Sequence, residues 1–422
     1  MKKNKSATLI IIVAALGYFV DIYDLILFSI IRKKSLIALG ISEADCLTVG
    51  EHLISMQMYG MLVGGLLWGI LGDKKGRLSV LFGSILMYSV ANIANGMIQT
   101  VEAYAIWRFI AGVGLAGELG AGITLVSESM SKEHRGYGTM AIVSFGVLGG
   151  VMAAAVGTLI DNWRMAYYIG GAMGLMLLLL RIGVFESGMY HAAKNAQVQR
   201  GNFLMLLSDS GRFFKYLGSI SIGIPIWFLI GILVTFSKEF SDAIGVSGIQ
   251  SAISVGVFYG ATSLGDFSSG YISQRIKSRK KVVFGFLMMT LLGIPLYLFN
   301  TSKSPVVFYA ICAFLGFAAG YWAIFVTIAS EQFGTNLRAT VTTTVPNFVR
   351  GCLPLLIICF KTLREGFGNT AIPFFKSQEG TWNNNAFIYS ALIVGVLTVL
   401  IAMYSLYTMD ETYHKDLDYL EY

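Results

Sequence analysis

The sequence predicts an all-α integral membrane protein of twelve transmembrane helices, arranged as two pseudo-symmetric bundles of six. Three observations carry that prediction. The 422-residue chain is 55% hydrophobic and only 13% charged, whereas a soluble domain normally carries about 25% charged residues. Apolar windows of bilayer-crossing length, about 20 residues, follow one another along it. Two loop motifs of the first half return in the second at nearly the same offset.

The twelve windows run roughly over 8–31, 50–71, 79–99, 101–126, 137–159, 165–184, 214–237, 249–271, 281–299, 305–330, 339–361 and 385–407; they are numbered spans 1 to 12 below. Between spans 6 and 7 lies the longest polar link, "FESGMYHAAKNAQVQRGNFLMLLSDSGR". Residues 1–184 are therefore read as an N-terminal bundle, 185–213 as a cytoplasmic linker and 214–422 as a C-terminal bundle with a short cytoplasmic tail. Abundant Gly (48) and scarce Pro (6) suit closely packed spanning helices. The opening "MKKNKSATLIIIVAALG" imitates a signal peptide. Its apolar run continues without a polar cleavage region, so it is read as a mature first span.

Orientation follows from the basic residues. With the N-terminus inside, about 20 of the 31 Lys and Arg fall on cytoplasmic segments and about nine on outer ones. Arg108 and Arg350 remain within spans. Both termini are expected in the cytoplasm, and the net charge of +7 is a topology signal, not a sign of nucleic-acid binding. The four cysteines (46, 312, 352, 359) form no C-x-x-C pair, and the four histidines show no ligand spacing. No metal and no cofactor is expected, nor is an enzyme, because no nucleophile stands with a base.

The halves repeat. "GILGDKKGRLSV" from Gly69 is echoed by "GYISQRIKSRKKV" from Gly270, an offset of 270 − 69 = 201, and "ESMSKEHRG" from Glu128 by "EQFGTNLRA" from Glu331, an offset of 331 − 128 = 203. Gly117 and Gly320 keep the second offset. A duplicated six-helix unit is the signature of a parallel-repeat transporter.

Gly69-x-x-x-Asp73-Lys74-x-Gly76-Arg77 resembles the loop motif between helices 2 and 3 of the major facilitator superfamily. "RFIAGVGLAGELGAG" (108–122) is similar to helix 4 of its metabolite–proton symporters and sugar porters, and "DIYDL" to the helix 1 acid signature of aromatic-acid and sugar symporters. Two departures stand out. Gln274 replaces the motif acid in the second copy, which should weaken that gate, and span 5 lacks the Gly-Pro element of drug–proton antiporters, which counts against an exporter. The motif's charges can latch the cytoplasmic face. Asp73 can accept bonds from a helix N-terminus or a loop Arg, Gly76 permits the turn, and Lys74 and Arg77 hold the loop inside. Glu128 with Arg135, and Glu331 with Arg338, are read as further cytoplasmic gate pairs.

Charges inside a membrane are expensive and mark function. Asp21 and Asp24 share one face of helix 1, about 60° apart. Asp24 and Arg108 lie at matching depths, roughly 10 Å below the outer surface, and can pair. In sugar porters the corresponding acid and Arg face each other. Such a pair can act as a proton switch or as a static ion pair fixing helix register. Asp24 is the better candidate for proton coupling; Asp21 is the second, or a substrate contact. Glu118, mid-depth in helix 4, either accepts a proton or is a structural acid. Arg350, between Pro346 and Pro354, suits a substrate carboxylate, unless freed carbonyls or an acid on another helix satisfy it. Trp227, Tyr259, Tyr321 and Trp322 are candidate aromatic walls of the cavity, with Gln57 and Asn347 as polar contacts. Asp266 reads as a local cap or gate partner.

These readings together predict a proton-coupled symporter taking up a small polar, anionic metabolite such as an organic acid, amino acid or carboxylate chelator by alternating access. It would work as a monomer in the lipid bilayer of a bacterial inner membrane. Export, uniport and a non-transporting sensor of the same fold are the alternatives.

Overall fold

The computed structural model describes residues 2–75, 77–120, 122–123, 135–184, 203–370, 372–376 and 383–413. Their regular structure is helical, with no strand among the described residues. That is the expected solution for a chain in hydrocarbon, where each backbone group must find its partner within its own helix. Ten of the described helices are long and apolar enough to cross a membrane. The other two expected spans are helical as well. Span 4 starts with Val101–Leu115 and breaks after it, while span 8 (Ser251–Ile276) is diluted by Ser and Gly. The faces turned away from the protein carry Leu159, Leu179, Leu264 and Tyr404, all well exposed. A surface of that kind belongs against lipid. The linker residues 185–202 lie outside the described residues.

In the first half, span 1 packs on spans 5 and 6, span 2 on span 4, and span 3 on spans 4 and 6. In the second, span 7 packs on spans 11 and 12, span 8 on span 10, and span 9 on spans 10 and 12. The halves meet along two seams, span 5 against span 8 and span 2 against span 11. Small residues make these seams close: a Cβ at Gly150 would collide with the Tyr259 ring, and one at Gly351 with the Leu62 side chain. Asn347 of span 11 donates to the Ala116 carbonyl of span 4 at 2.7 Å, and Ser263 of span 8 to the Ser144 carbonyl of span 5 at 2.6 Å.

The duplication read from the sequence extends to the helix breaks. Span 4 is interrupted at Ala116–Gly117 and span 10 at Ala319–Tyr321, positions related by 320 − 117 = 203. At the second break the Asp266 carboxylate accepts the Ala323 N–H at 3.1 Å and so caps the helix that restarts at Trp322. Asp266, expected as a local cap or a gate partner, thus caps a helix of another span. Gly320 lies directly on the Gly265–Asp266 backbone of span 8, with no room for a Cβ. Replacing Gly320 with Leu is expected to separate spans 8 and 10 and abolish recovery of monodisperse protein; size-exclusion profiles of the purified variant check this. Span 7 carries a further irregularity, a π-helical turn over Leu229–Val234 just after Pro225. Such turns re-aim side chains and recur at functional sites.

Candidate functional site

Arg350 sits next to the break at Cys352 that divides span 11, and is 1% exposed. Its Nη2 lies 3.8 Å from Asp21 Oδ2 of span 1, so the pair bridges the two bundles at mid-depth. The distance is that of an ion pair without a hydrogen bond. None of the three guanidinium nitrogens, and neither Asp21 oxygen, has a hydrogen-bond partner. The indoles of Trp227 in span 7 and Trp322 in span 10 flank the guanidinium, each ring centre 5.7 Å from its carbon. Trp322 Nε1 and Asn347 Oδ1 are also buried without a partner. The Tyr18 hydroxyl faces Arg350 without reaching hydrogen-bond geometry, and Tyr259 stands in the same field. Of the sequence candidates, then, the fold gathers Asp21, Arg350, Trp227, Trp322 and Tyr259 into one place. The cation there is held by charge and ring faces alone, with its directional donors unused.

Other candidates go elsewhere. Arg108 does not pair with Asp24 in this structure. It donates from Nε to the Leu53 carbonyl at 3.0 Å and from Nη1 to Tyr167 at 3.3 Å, bonds Gln57 Oε1 through Nη2, and lies over the Phe28 ring at 3.9 Å. Counting residues had matched the depths of Asp24 and Arg108, but depth says nothing about direction round the helix; Arg108 points to spans 2 and 6. Gln57 is correspondingly committed to Arg108, and the Tyr321 hydroxyl to the Ile222 carbonyl at 3.0 Å. Asn347 uses its amide nitrogen to tie span 11 to span 4.

Asp24 is 2% exposed with both oxygens unpartnered, pressed against Gly170 of span 6 and faced by Asn92 of span 3. It lies inside the N-terminal bundle, and none of its described neighbours is a cation. Glu118 is gripped by Arg181 of span 6 through both guanidinium termini, each side chain 1% exposed. Arg181 was missed in the sequence: it lies within the sixth apolar window, yet only Arg108 and Arg350 were read as basic residues within spans. Replacing Arg181 with Gln leaves Glu118 buried and uncompensated, and should cost about 3–5 kcal/mol. Thermal unfolding in detergent checks this, and adding Glu118→Gln to the same chain should restore most of the loss.

The pairs expected as cytoplasmic gates are rearranged too. Glu331 does not wait for Arg338: Arg279, at the start of span 9, takes it bidentately at 2.6 and 2.8 Å. Arg338 donates instead to the Ser330 and Phe333 carbonyls. Gln274, the residue that departs from the motif, accepts from Tyr413 at 3.0 Å, and Glu411 accepts from Ser278 at 2.5 Å and from the N–H groups of Arg279 and Lys280. Partial burial works against the Glu411 charge, but these donors outweigh it and hold the carboxyl below its usual range. Gly69 abuts Thr344 across the span 2–span 11 seam. Glu128 and Gly76 lie outside the described residues, as do the side chains of Asp73, Lys74, Arg77 and Arg135.

At the end remote from the chain termini, two buried ion pairs cross from bundle to bundle. Arg32 of span 1 meets Glu239 of span 7 at 2.5 Å and also donates to the Cys46 carbonyl at 3.0 Å. Glu51 of span 2 meets Arg364 of span 11 at 3.0 Å. Ser29 and Thr235 join beside the first pair at 3.0 Å. The sequence shows these charges only as residues near span ends; nothing in their spacing said which acid would meet which base.

A membrane-embedded helical duplex whose unspent charges converge on the seam of its halves is a transporter, not an enzyme. A model of the Major Facilitator Superfamily matches residues 9–351, and the chain belongs to that family. It is 27% identical to the niacin transporter NiaP of Acinetobacter baylyi, over 78% of this chain and 80% of that one. It is 24% identical to the cis,cis-muconate transport protein of the same organism, over 78% and 80%. The solved structure of the proton:xylose symporter XylE, bound to 6-bromo-6-deoxy-D-glucose, shares the fold. There the TM-score is 0.68 with 16% identity, covering 98% of both chains.

Proposed function

We propose that this transporter takes up a small carboxylate metabolite together with protons, by rocking its two bundles about the Asp21–Arg350 level. The observation that carries the reading is Arg350, a buried guanidinium on the seam of the bundles with its hydrogen-bond donors free and an indole on each side. That geometry suits bidentate capture of a carboxylate, with the indoles offering flat faces to an unsaturated or ring-bearing body. Niacin and cis,cis-muconate, named for two relatives, are both carboxylates with flat unsaturated bodies, which supports the same class of substrate here. Asp21 is the nearest acid to that cation and supplies the proton-responsive group.

In this reading the Arg32–Glu239 and Glu51–Arg364 pairs close the outer side, the termini face the cytoplasm, and the protein works as a monomer in a bacterial inner membrane. The test is uptake of radiolabelled niacin and cis,cis-muconate into proteoliposomes. An imposed inward proton gradient should drive accumulation above equilibrium. Equilibration without accumulation would make it a uniporter, accumulation driven only by an outward proton gradient an exporter, and binding without flux a sensor; each overturns the proposal.

A further inference from the structure

We propose that the N-terminal bundle holds a sodium ion between spans 1, 3 and 6, bound by the Asp24 carboxylate and by neutral oxygens of span 3. This site lies inside one bundle, whereas Asp21 and Arg350 lie on the seam, so it stands or falls apart from the carboxylate reading.

Buried polar atoms collect there with nothing to bond. Both Asp24 oxygens, the Tyr88 and Ser89 hydroxyls, the Asn92 amide nitrogen and both polar atoms of Asn95 lack a hydrogen-bond partner. None of these residues is more than 2% exposed. Each such group left bare costs about 1–3 kcal/mol, so an occupant shared by several is strongly favoured. Three helices bring them together. Tyr88, Asn92 and Asn95 lie within about 60° on one face of span 3, and Ser89 follows Tyr88. Asn92 faces the Asp24 carboxylate without reaching hydrogen-bond geometry, and the Tyr88 hydroxyl lies in the field of the same acid. Span 6 backs the group with glycine. A Cβ at Gly170 would strike Asp24 Oδ1, and one at Gly174 the Ser89 hydroxyl. Oxygens of spans 1 and 3 therefore lie against the bare backbone of span 6, about 6 Å apart along it.

The chemistry of the group selects the occupant. A carboxylate, two amides and two hydroxyls offer hard oxygen donors once the amides turn their carbonyls inward, an orientation set by whatever partner they meet. With no imidazole or thiolate among them, they suit an alkali or alkaline-earth cation. Charge decides between those two. Asp24 supplies one negative charge, so a monovalent cation neutralises the site, while a divalent one would leave a buried excess. No side chain among the described residues supplies that counter-charge. Arg181 is held by Glu118 through both guanidinium termini, and Arg108 bonds Leu53, Gln57 and Tyr167. The other hydroxyls in the field of Asp24 are committed as well. Tyr23 donates to the Ala166 carbonyl at 2.9 Å, and Tyr167 shares a hydrogen bond with Tyr104 at 2.6 Å. A proton on Asp24 would remove its charge and still leave the hydroxyls of span 3 without a partner, which a coordinated ion supplies. The close approach at the two glycines favours sodium over the larger potassium.

The test is equilibrium binding of radioactive sodium to the purified protein in detergent, with no organic substrate present. One ion per chain is expected, displaced by unlabelled sodium and far less well by potassium. Asp24→Asn removes the one charged ligand and should weaken binding at least about tenfold, since ligand charge sets the affinity of such sites. Ser89→Ala and Asn92→Ala should weaken it less, and Asp21→Asn should retain it. Thermal unfolding gives a second readout. Sodium chloride should raise the midpoint of the unaltered protein above that in choline chloride of equal ionic strength, increasingly with sodium concentration. The difference should vanish in Asp24→Asn. No sodium binding by the unaltered protein overturns the proposal without needing any variant. Binding that survives in Asp24→Asn, Ser89→Ala and Asn92→Ala alike, or that is lost only in Asp21→Asn, places the ion elsewhere and overturns it too.

Discussion

Replacing Arg350 with Gln is expected to weaken carboxylate binding by about 30- to 1000-fold. Truncating one partner of a buried, hydrogen-bonded charge pair costs about 2–4 kcal/mol, and each 1.4 kcal/mol is a factor of about ten. Two features place the effect at the upper end. The guanidinium is 1% exposed, so water cannot replace it, and its nitrogens make no hydrogen bond within the protein, so a bound carboxylate gains those bonds without breaking others. Arg350→Lys keeps the charge but loses the planar fork, and should recover only part of the affinity. Isothermal titration with niacin and cis,cis-muconate gives the comparison. A Gln variant that binds both within threefold of the unaltered protein would remove Arg350 from the substrate site.

The second large effect is expected at the two ion pairs proposed to close the outer side, Arg32–Glu239 and Glu51–Arg364. Glu239→Gln together with Glu51→Gln leaves Arg32 and Arg364 buried without counter-ions, each at about 3–5 kcal/mol in the closed state. Opening the outer side hydrates both guanidinium groups and relieves that cost, so the population moves toward the outward-open form. Cys46 reports on this directly. It is fully buried beneath Arg32, which donates to its carbonyl. In a background where Cys312, Cys352 and Cys359 are Ser, a membrane-impermeant maleimide added outside should label Cys46 at least tenfold faster in the double variant. Equal labelling rates would mean the two pairs fasten helices without gating. Arg32→Gln added to Glu239→Gln should reverse much of the gain at that pair, since it removes the uncompensated charge.

How much of this was legible beforehand differs between fold and site. The twelve windows, the repeat and the Gly117/Gly320 register came from local quantities, hydropathy over 20 residues and spacing along the chain, and these survive folding because lipid leaves a helix no alternative. Arg350 as a buried cation within a span was also readable, from its place between two prolines; Asp266 was read as a cap or a gate partner, but the helix it caps belongs to another span. Asp24 and Arg108 failed as a pair for a geometric reason. Depth is one coordinate of three, and the rotation of helix 4 against helices 2 and 6 aims Arg108 at Gln57 and Tyr167. Glu331 likewise had a plausible base seven residues on, but Arg279 reaches it from a helix distant in sequence.

The sequence by itself determined the class of molecule, the number and order of its spans, the duplication and a part of the buried charges, Asp21, Asp24, Arg108, Glu118 and Arg350. Each of these follows from the cost of exposing polar groups to hydrocarbon, which every residue meets regardless of its neighbours. Only the tertiary structure decided the pairings: Asp21 with Arg350, Glu118 with Arg181, Arg32 with Glu239 and Glu51 with Arg364. A buried group keeps its charge most cheaply with an opposite charge within about 4 Å, and which side chains come that close depends on the rotation and crossing of helices packed in three dimensions. The two acids of "DIYDL" part company on that basis. Asp21 faces the seam between the bundles and meets the central cation, whereas Asp24, one turn on, faces the interior of its own bundle.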